Sequence, residues 1–350
     1  LGKLTPMGVD LTKTYFVIWT TTTWTLPANV AICVGPNYEY SVIKADGEFY
    51  IMATDLAPAA MEAKGVTDYE TVGIIRGNEL EYMKTQHPFI DRTSLVIVGD
   101  HVTLESGTGC VHTAPGHGVE DFVVCKNYPE IPIVVPVDAK GRLTEEAGQF
   151  AGLTTEEANK PIAMHLDEIG ALFAFKKIEH QYPHCWRCHK PVIFRATSQW
   201  FCSVDDFKED AVKAAEDVKW FPEWGKDRLQ SMVQERADWC ISRQRKWGVP
   251  IPVVYCQDCG KEIIDNDVMM KISKIFGEEG SDAWFAHDAE YFLPEGFKCP
   301  HCGSDKGFEK EKDIMDVWFD SGAMPYAQIH YPFENKELLD SHEVYPADFI

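Results

Sequence analysis

Two histidines and two carboxylates crowd into the segment GTGCVHTAPGHGVEDF, Gly107 to Phe122, as His112, His117, Glu120 and Asp121. That donor set admits three chemistries. Two imidazoles and two acids can hold zinc, although the spacing is not the H-E-x-x-H pattern that puts both histidines on one helix face. The same residues can serve as loop and cap groups with no ligand. The third reading is a cleft, in which Asp121 accepts hydrogen bonds from a substrate ammonium and His112 shapes the pocket or orients water. Glycines at 107, 109, 116 and 118 permit close backbone approach, and Pro115 limits where a helix carrying Asp121 can begin.

A second polar run, WTTTTWTLPAN, Trp19 to Asn29, sets Thr20, Thr21, Thr22 and Thr23 between two tryptophans. Threonine suits a pleated surface. Read as a strand, the run points Thr20 and Thr22 to one face and Thr21 and Thr23 to the other. Hydroxyls that both donate and accept would hold a carbonyl and a ribose hydroxyl beside such a cleft.

Six of the eleven cysteines fall in three C-x-x-C pairs. Cys256 and Cys259 with Cys299 and Cys302 form two knuckles, the ligand set of a closed tetrahedral Zn²⁺ site with no open position for substrate. A redox or metal-free role is the alternative. Cys185 and Cys188 have no second knuckle in this sequence. His184 and His189 do not easily converge with them on one tetrahedron, so a partner pair upstream of Leu1 is expected. Cys33, Cys110, Cys125, Cys202 and Cys240 read as ordinary thiols of a reducing compartment.

The elements that must position these groups follow from composition and pattern. Short apolar runs from Tyr15 to about Gln149 alternate with turns, predicting a mixed sheet domain with a helix near Asp55 to Lys64. LTTEEANKPIAMHLDEIGALF reads as helical at both ends, opened by threonine and early acids. A boundary is expected near Glu179, followed by charged helical runs at 205–217 and 225–242, a cysteine-bearing insert near 255–307, and an aromatic return after Lys312. The closing VYPADFI reads as the approach to a strand, so the chain is expected to stop in mid-domain. With 55 acidic against 33 basic residues the formal charge is −22, which opposes non-specific capture of nucleic acid without excluding a local basic patch. No apolar run reaches spanning length and the start has no basic leader, so a soluble, cytoplasmic protein is expected.

WTTTTWTLPAN, GTGCVHTAPGHGVEDF, IFRATSQWF, DWCISRQRKWGVPIP and DIMDVWFDSG, in that order, resemble the isoleucyl-tRNA synthetases of class I over nearly the whole chain. The resemblance implies an α/β protein: a mixed, β-barrel-like editing domain over 1–179, part of a Rossmann-like catalytic domain over 180–254, a zinc-bearing insert over 255–310, and a return to the catalytic domain over 311–350. It implies hydrolysis of mischarged Val-tRNA(Ile), with Thr20, Thr21, Thr22 and Asn29 beside the aminoacyl ester, His112 shaping the amino-acid pocket and Asp121 holding the α-ammonium. The implied partners are tRNA(Ile) and the missing flanking domains of one polypeptide, in a monomer away from membranes. Thr23 stands where the family wording has proline.

No Ser, His and acid triad is legible, so direct attack of water on the activated ester is expected, with a terminal ribose hydroxyl as the assisting group. A second pocket answers the weakness of the first: one methylene gives only about 1–3 kcal/mol of discrimination, a limit for which the isoleucine and valine pair is the standard illustration. The H-I-G-H and K-M-S-K-S signatures of adenylate formation are absent, and MKISKIF, Met270 to Phe276, reads as an amphipathic helix. ATP and Mg²⁺ are therefore expected of the full-length enzyme only. Arg236, Arg243, Arg245 and Lys246 read either as a helix and exit facing RNA phosphates or as a solvated basic face. Trp318, Phe319 and Asp320 receive no catalytic role. A zinc-stabilised tRNA-binding or structural fragment, and a metallohydrolase, are the competing functions.

Overall fold

The computed structural model describes residues 4–176, 181–330 and 334–341, so the boundary near Glu179 and the closing VYPADFI lie outside the described residues. Two units separate, Leu1–Thr197 and Ser198–Ile350.

The first unit is built on a hairpin. Strand β3 (Glu39–Ala45) turns through Asp46 and Gly47, both at positive φ (52° and 81°), into the antiparallel β4 (Glu48–Ala53), the two-residue connection that matches strand twist. β1 (Thr14–Phe16) adds parallel to β4, and β5 (Glu70–Arg76) antiparallel to β3, giving the order β1-β4-β3-β5. A second sheet, β6-β7-β2-β8, combines β2 (Ala31–Val34), β6 (Lys84–Gln86), β7 (Thr93–Val98) and β8 (Cys110–Thr113), with β2 parallel to β7 and antiparallel to β8. Alternation assigns the faces: Tyr40, Val42, Ile51, Ile32, Val34 and Val96 fill one core shared by both sheets, while Ile43, Tyr50 and Met52 face a second cluster and Cys33 and Ile97 a third.

The barrel-like domain expected from the resemblance is not what forms. Among the described residues no sheet closes on itself: both are open and mixed, and just after β1 the chain makes the isolated parallel bridge Trp19 to Val111 of β8. Closure would require β5 to pair with β6. The chain instead passes from β5 through the one-turn helix α2 (Gly77–Leu80) into the other sheet. Gly77 makes that crossing feasible, because a Cβ there would lie 1.9 Å from the Gly35 carbonyl oxygen.

The threonine run is not a strand either. Only Trp19 bridges, and Thr23–Ala28 form a buried 3-10 turn containing Pro27. The hydroxyls take local carbonyls instead of flanking a ladder: Thr20 Oγ1 donates to Thr22 O at 3.1 Å and Thr25 Oγ1 to the same oxygen at 2.8 Å, the competition with regular structure expected of such side chains. Thr23 opens the 3-10 turn, a position where proline also fits because its missing N–H would be an orphan there; Thr23 Oγ1 donates to Asn159 O at 2.7 Å.

Among the described residues the unit also holds the α-helices α1 (Ala57–Lys64), α3 (Val119–Cys125) and α4 (Thr155–Glu168). The threonine and early acids foreseen at the start of α4 form a capping box between Thr154 and Glu157. The helix runs unbroken and buries Ala158, Ile162 and Leu166, spaced by four, against Trp24, Leu26, Val137 and Phe150.

In the second unit, α5 (Asp205–Ala214) and α6 (Trp224–Gln234) pair beside short strands β9 (Phe201–Cys202), β10 (Trp239–Cys240) and β11 (Ser242–Arg243). The insert holds β12 (Val254–Cys256), β13 (Glu262–Ile263), α7 (Asn266–Glu279), α8 (Ala283–Ala286), α9 (Ala289–Phe292) and β14 (Phe308–Lys310); β15 (Ile314–Met315) and α10 (Val317–Ile329) follow. The part expected to be Rossmann-like shows no parallel sheet among the described residues: its strands pair antiparallel, two or three at a time. They are two or three residues long and lack the helical crossovers that a parallel sheet needs. The second helical run also ends at Gln234, so Arg236, Arg243, Arg245 and Lys246 sit beyond α6 and not on a helix.

Candidate functional site

In the first unit Thr20, Thr22, Thr25, His112, Ala114, His117 and Asp121 line one cavity of about 170 Å³, space on the order of five or six waters at liquid density. Thr20 and Thr22 share it, as alternation suggested, although the backbone there is irregular. Thr21 is exposed and does not line the cavity. Asn29 stands behind the wall, and Thr25 is a lining residue the sequence reading missed; its place three residues after Thr22, across one 3-10 turn, was the available signal.

His112 is carried by β8, where it pairs with Ile32 of the buried strand β2. Its ring is locked from both ends. Asn29 Oδ1 accepts from Ser94 Oγ at 2.5 Å, which fixes the amide so that Nδ2 donates to Ala31 O at 3.0 Å and to His112 Nδ1 at 2.7 Å. Nδ1 is therefore the unprotonated nitrogen, and Nε2–H donates to Thr25 Oγ1 at 3.0 Å, whose hydroxyl in turn donates to Thr22 O. Burial pushes the imidazole down to about 3, with His87 and His117 adding to the effect. A neutral ring with both nitrogens engaged is a wall, not a base.

That lock has a signed pH consequence. In the unfolded chain the imidazole takes a proton near 6.5, in the native cleft only near 3. The stability His112 contributes is thus fully present above about pH 6.5 and is lost as pH falls toward 3, at up to about 1.4 kcal/mol per unit. Urea midpoints measured from pH 7 to 5 are expected to fall in the native chain and to fall less steeply in His112→Gln; parallel slopes would contradict the assignment.

Asp121 lies in the first turn of α3, after the N-cap Gly118. Its Oδ2 accepts from Ala114 N at 2.8 Å, which ties the helix to the end of β8. Burial raises the carboxyl above its ordinary value, against the lowering effects of the Ala114 N–H and of His101. A Cβ at 118 would stand 2.9 Å from the Asp121 carboxyl carbon, so a larger residue there would displace that side chain. Glu120 is exposed and outside the cavity lining, so the two-histidine, two-acid metal arrangement does not assemble. Cys110 is buried with its thiol pushed up; it is no nucleophile.

The second unit brings the four insert cysteines together. Their sulfurs lie within 4.8 Å of one another, with Cys256 to Cys302 at 3.6 Å and Cys259 to Cys299 at 3.8 Å. Zn–S bonds of about 2.3 Å in a tetrahedron set sulfur edges of about 3.8 Å, so the cluster fits Zn²⁺. Among the described residues it is the one such group of three or more candidate ligands. Each knuckle uses one backbone pattern: Cys256 N to Lys261 O (3.0 Å) with Gly260 N to Cys256 O (2.8 Å), and Cys299 N to Ser304 O (2.7 Å) with Gly303 N to Cys299 O (2.8 Å). Cys185 repeats it with Lys190 and His189, both at 2.8 Å. His184 and His189 are not drawn to the sulfurs of that third knuckle: His184 Nδ1 lies 2.8 Å from Tyr182 O.

Of the remaining motif residues, Asp316 ties Trp239 and Arg243 to the start of α10. Asp316 is buried, caps α10, and accepts from Trp239 Nε1 at 2.9 Å and from Arg243 at 2.7 Å, while Arg236, Arg245 and Lys246 are exposed. In MKISKIF, Ile272 and Ile275 are buried in α7, and Lys271 is held by the Tyr291 and Leu293 carbonyls at 2.7 and 2.6 Å. Among the described residues no helix is long and apolar enough to cross a membrane.

The family described as tRNA synthetases class I (I, L, M and V) matches residues 8–350. Isoleucine–tRNA ligase of Caldicellulosiruptor saccharolyticus is 58% identical over 339 residues, 97% of this chain and 36% of that protein. The isoleucine–tRNA ligase of a Thermoanaerobacter species is 54% identical over 323 residues, 92% of this chain and 34% of that protein. A solved structure titled "The crystal structure of GlLeuRS-CP1" aligns with 51% of this chain at 15% identity and a TM-score of 0.43, too slight a likeness to assign a fold. The chain thus spans about a third of the length of the curated relatives it matches.

Proposed function

From the premise that this chain belongs to the class I tRNA synthetases and, within them, to the isoleucine–tRNA ligases, we propose that its first unit hydrolyses the ester of mischarged Val-tRNA(Ile). The observation that carries the reading is the pairing, in one small cavity, of a neutral, doubly hydrogen-bonded His112 with the carboxyl of Asp121. Asp121 holds the α-ammonium. His112 presents a rigid face to the amino-acid side chain, and Thr20 and Thr22 contact the ester and ribose. Thr21, exposed beside them, meets the tRNA end from outside the cavity, and Asn29 acts through the tautomer it imposes on His112.

Hydrolysis of an activated ester needs a positioned water and stabilised oxyanion charge more than a strong nucleophile. A valyl side chain enters and an isoleucyl one, longer by a methylene, meets the His112 wall. The Cys256, Cys259, Cys299 and Cys302 cluster would hold Zn²⁺ as a structural ion. Cys185 and Cys188 supply half of another metal site, completed by an upstream pair in the longer polypeptide. Aminoacylation with ATP and Mg²⁺ belongs to that full-length enzyme, a cytoplasmic monomer whose partner is tRNA(Ile).

The test is deacylation of Val-tRNA(Ile) and Ile-tRNA(Ile) by the native chain and by His112→Ala. The native chain should accelerate loss of valine and spare isoleucine. Opening the wall should bring Ile-tRNA(Ile) within reach and shrink the discrimination by about 10- to 200-fold, the value of one methylene. Background decay of both esters by a folded chain that binds tRNA would instead favour a zinc-stabilised tRNA-binding fragment.

A further inference from the structure

His117 is left without a task by that reading. It is 9% exposed, lines the cavity, and packs edge-on against Trp24 at 5.0 Å. Its Nδ1 lies 2.9 Å from Phe194 O, and a carbonyl only accepts, so Nδ1 carries the proton and Nε2 an unshared pair. That Nε2 is buried with no hydrogen-bond partner. Buried polar atoms nearly always find one; His101 Nε2 and Thr144 Oγ1, the other such side-chain atoms among the described residues, belong to residues outside the cavity lining.

The neighbouring groups are already engaged. Both His112 nitrogens are taken, Thr20 and Thr25 donate to Thr22 O, and Asp121 Oδ2 accepts from Ala114. With Asp121 occupied by the ammonium, Nε2 of His117 is the buried nitrogen of the cavity-lining residues that has no hydrogen-bond partner. The ring is also held in place: Ala196 N donates to Gly116 O at 2.8 Å, so the IFRAT segment braces the loop that carries His117 from two points.

Resting on the editing reading, we infer that His117 accepts a proton from the attacking water through Nε2. The water oxygen bonds to the ester carbonyl carbon as one of its protons passes to Nε2. The bond from that carbon to the ribose oxygen then breaks, and the imidazolium returns the proton to the leaving oxygen. Valine and a free terminal hydroxyl result, with no proton left on the ring and no other reactant needed. Burial, with Arg195 nearby, lowers the ring's proton affinity and keeps the free base at neutral pH.

The experiment is single-turnover deacylation of Val-tRNA(Ile) by the native chain, His117→Gln and His117→Ala. Glutamine can still donate to Phe194 O but has no basic nitrogen. The expected result is a chemical step slowed by about 10²- to 10⁴-fold in His117→Gln with tRNA affinity unchanged, and partial recovery of His117→Ala by added imidazole. The acid limb due to His117 should vanish from the pH profile of the glutamine variant, while any limb due to Asp121 persists; Arg195 and His112, the charged and titratable neighbours that act electrostatically with the ring, are common to both proteins. A rate within about threefold of native, or a loss wholly in affinity, would overturn the inference while leaving editing intact. If the native chain fails to deacylate, editing itself fails. His117 is then judged by nitrogen NMR of its ring with a valine amide analogue of the tRNA 3′ end: a shift at Nε2 supports contact with the ligand, and an unmoved Nε2 overturns it.

Discussion

Asp121→Ala is expected to slow Val-tRNA(Ile) deacylation by about 10²- to 10³-fold, equivalent to roughly 3–4 kcal/mol for removing one partner of a buried charge pair, with the unfolding midpoint nearly unchanged. The two halves of that expectation share one cause. A carboxyl whose native pKa is raised by burial contributes stability below its unfolded pKa and loses it as pH rises through the folded value. At neutral pH the ionised Asp121 is thus a burden on the folded state, and its removal costs chiefly the acceptor for the Ala114 N–H. An ammonium in the cleft relieves the burden, so substrate and carboxylate stabilise each other. Activity should fall on acidification at a pH above the ordinary aspartate range, and Asp121→Asn, which keeps an acceptor but no charge, should lie between native and alanine. Equal rates in all three proteins would remove Asp121 from the mechanism.

Metal removal should produce the other large effect, confined to the insert. Structural zinc contributes roughly 10–16 kcal/mol of apparent folding free energy, comparable to the whole stability of a domain, about 5–15 kcal/mol. The insert does own an apolar core, with Trp284, Phe292, Ile263 and Ile272 fully buried. Even so, its β12 and β14 each carry or adjoin a knuckle, and four thiolates this close repel one another without an ion. A chelator, or Cys256→Ser with Cys302→Ser, should expose the amides of α7 to hydrogen exchange while deacylation by the first unit persists. Loss of deacylation with α7 still protected would point to metal chemistry in the cleft, and full protection without bound metal would remove zinc from the insert's stability.

Which side chains come together was more legible in the sequence than the architecture that brings them there. Spacing alone brought the four insert cysteines together, because a C-x-x-C knuckle is local and its glycine or its αL residue is written beside it. His112 and Asp121 were legible as a pair because nine residues separate them across one turn. The threonine run misled because propensity favours a strand, while Pro27 and hydroxyl bonds to Thr22 O favour a 3-10 turn. Thr25 went unnoticed for the same reason. The tautomer of His112 depends on Ser94 and Asn29, sixty-five positions apart, and no local pattern reports that. Open sheets and a barrel share the same alternation, strand for strand; what decides between them is whether β5 meets β6, a tertiary fact.

Open sheets leave unpaired rims, and rims are templates for a neighbour's backbone. This protein blunts them in different ways. β6 is three residues long, with an exposed lysine, and β5 carries exposed charges at both ends, Glu70 and Arg76. A formal charge of −22 adds repulsion between copies. The absence of closure therefore carries a colloidal consequence: what keeps one molecule from adding its strands to the next is charge and brevity at the rims, and high salt or neutralised rim residues will be felt first as self-association, before any loss of fold.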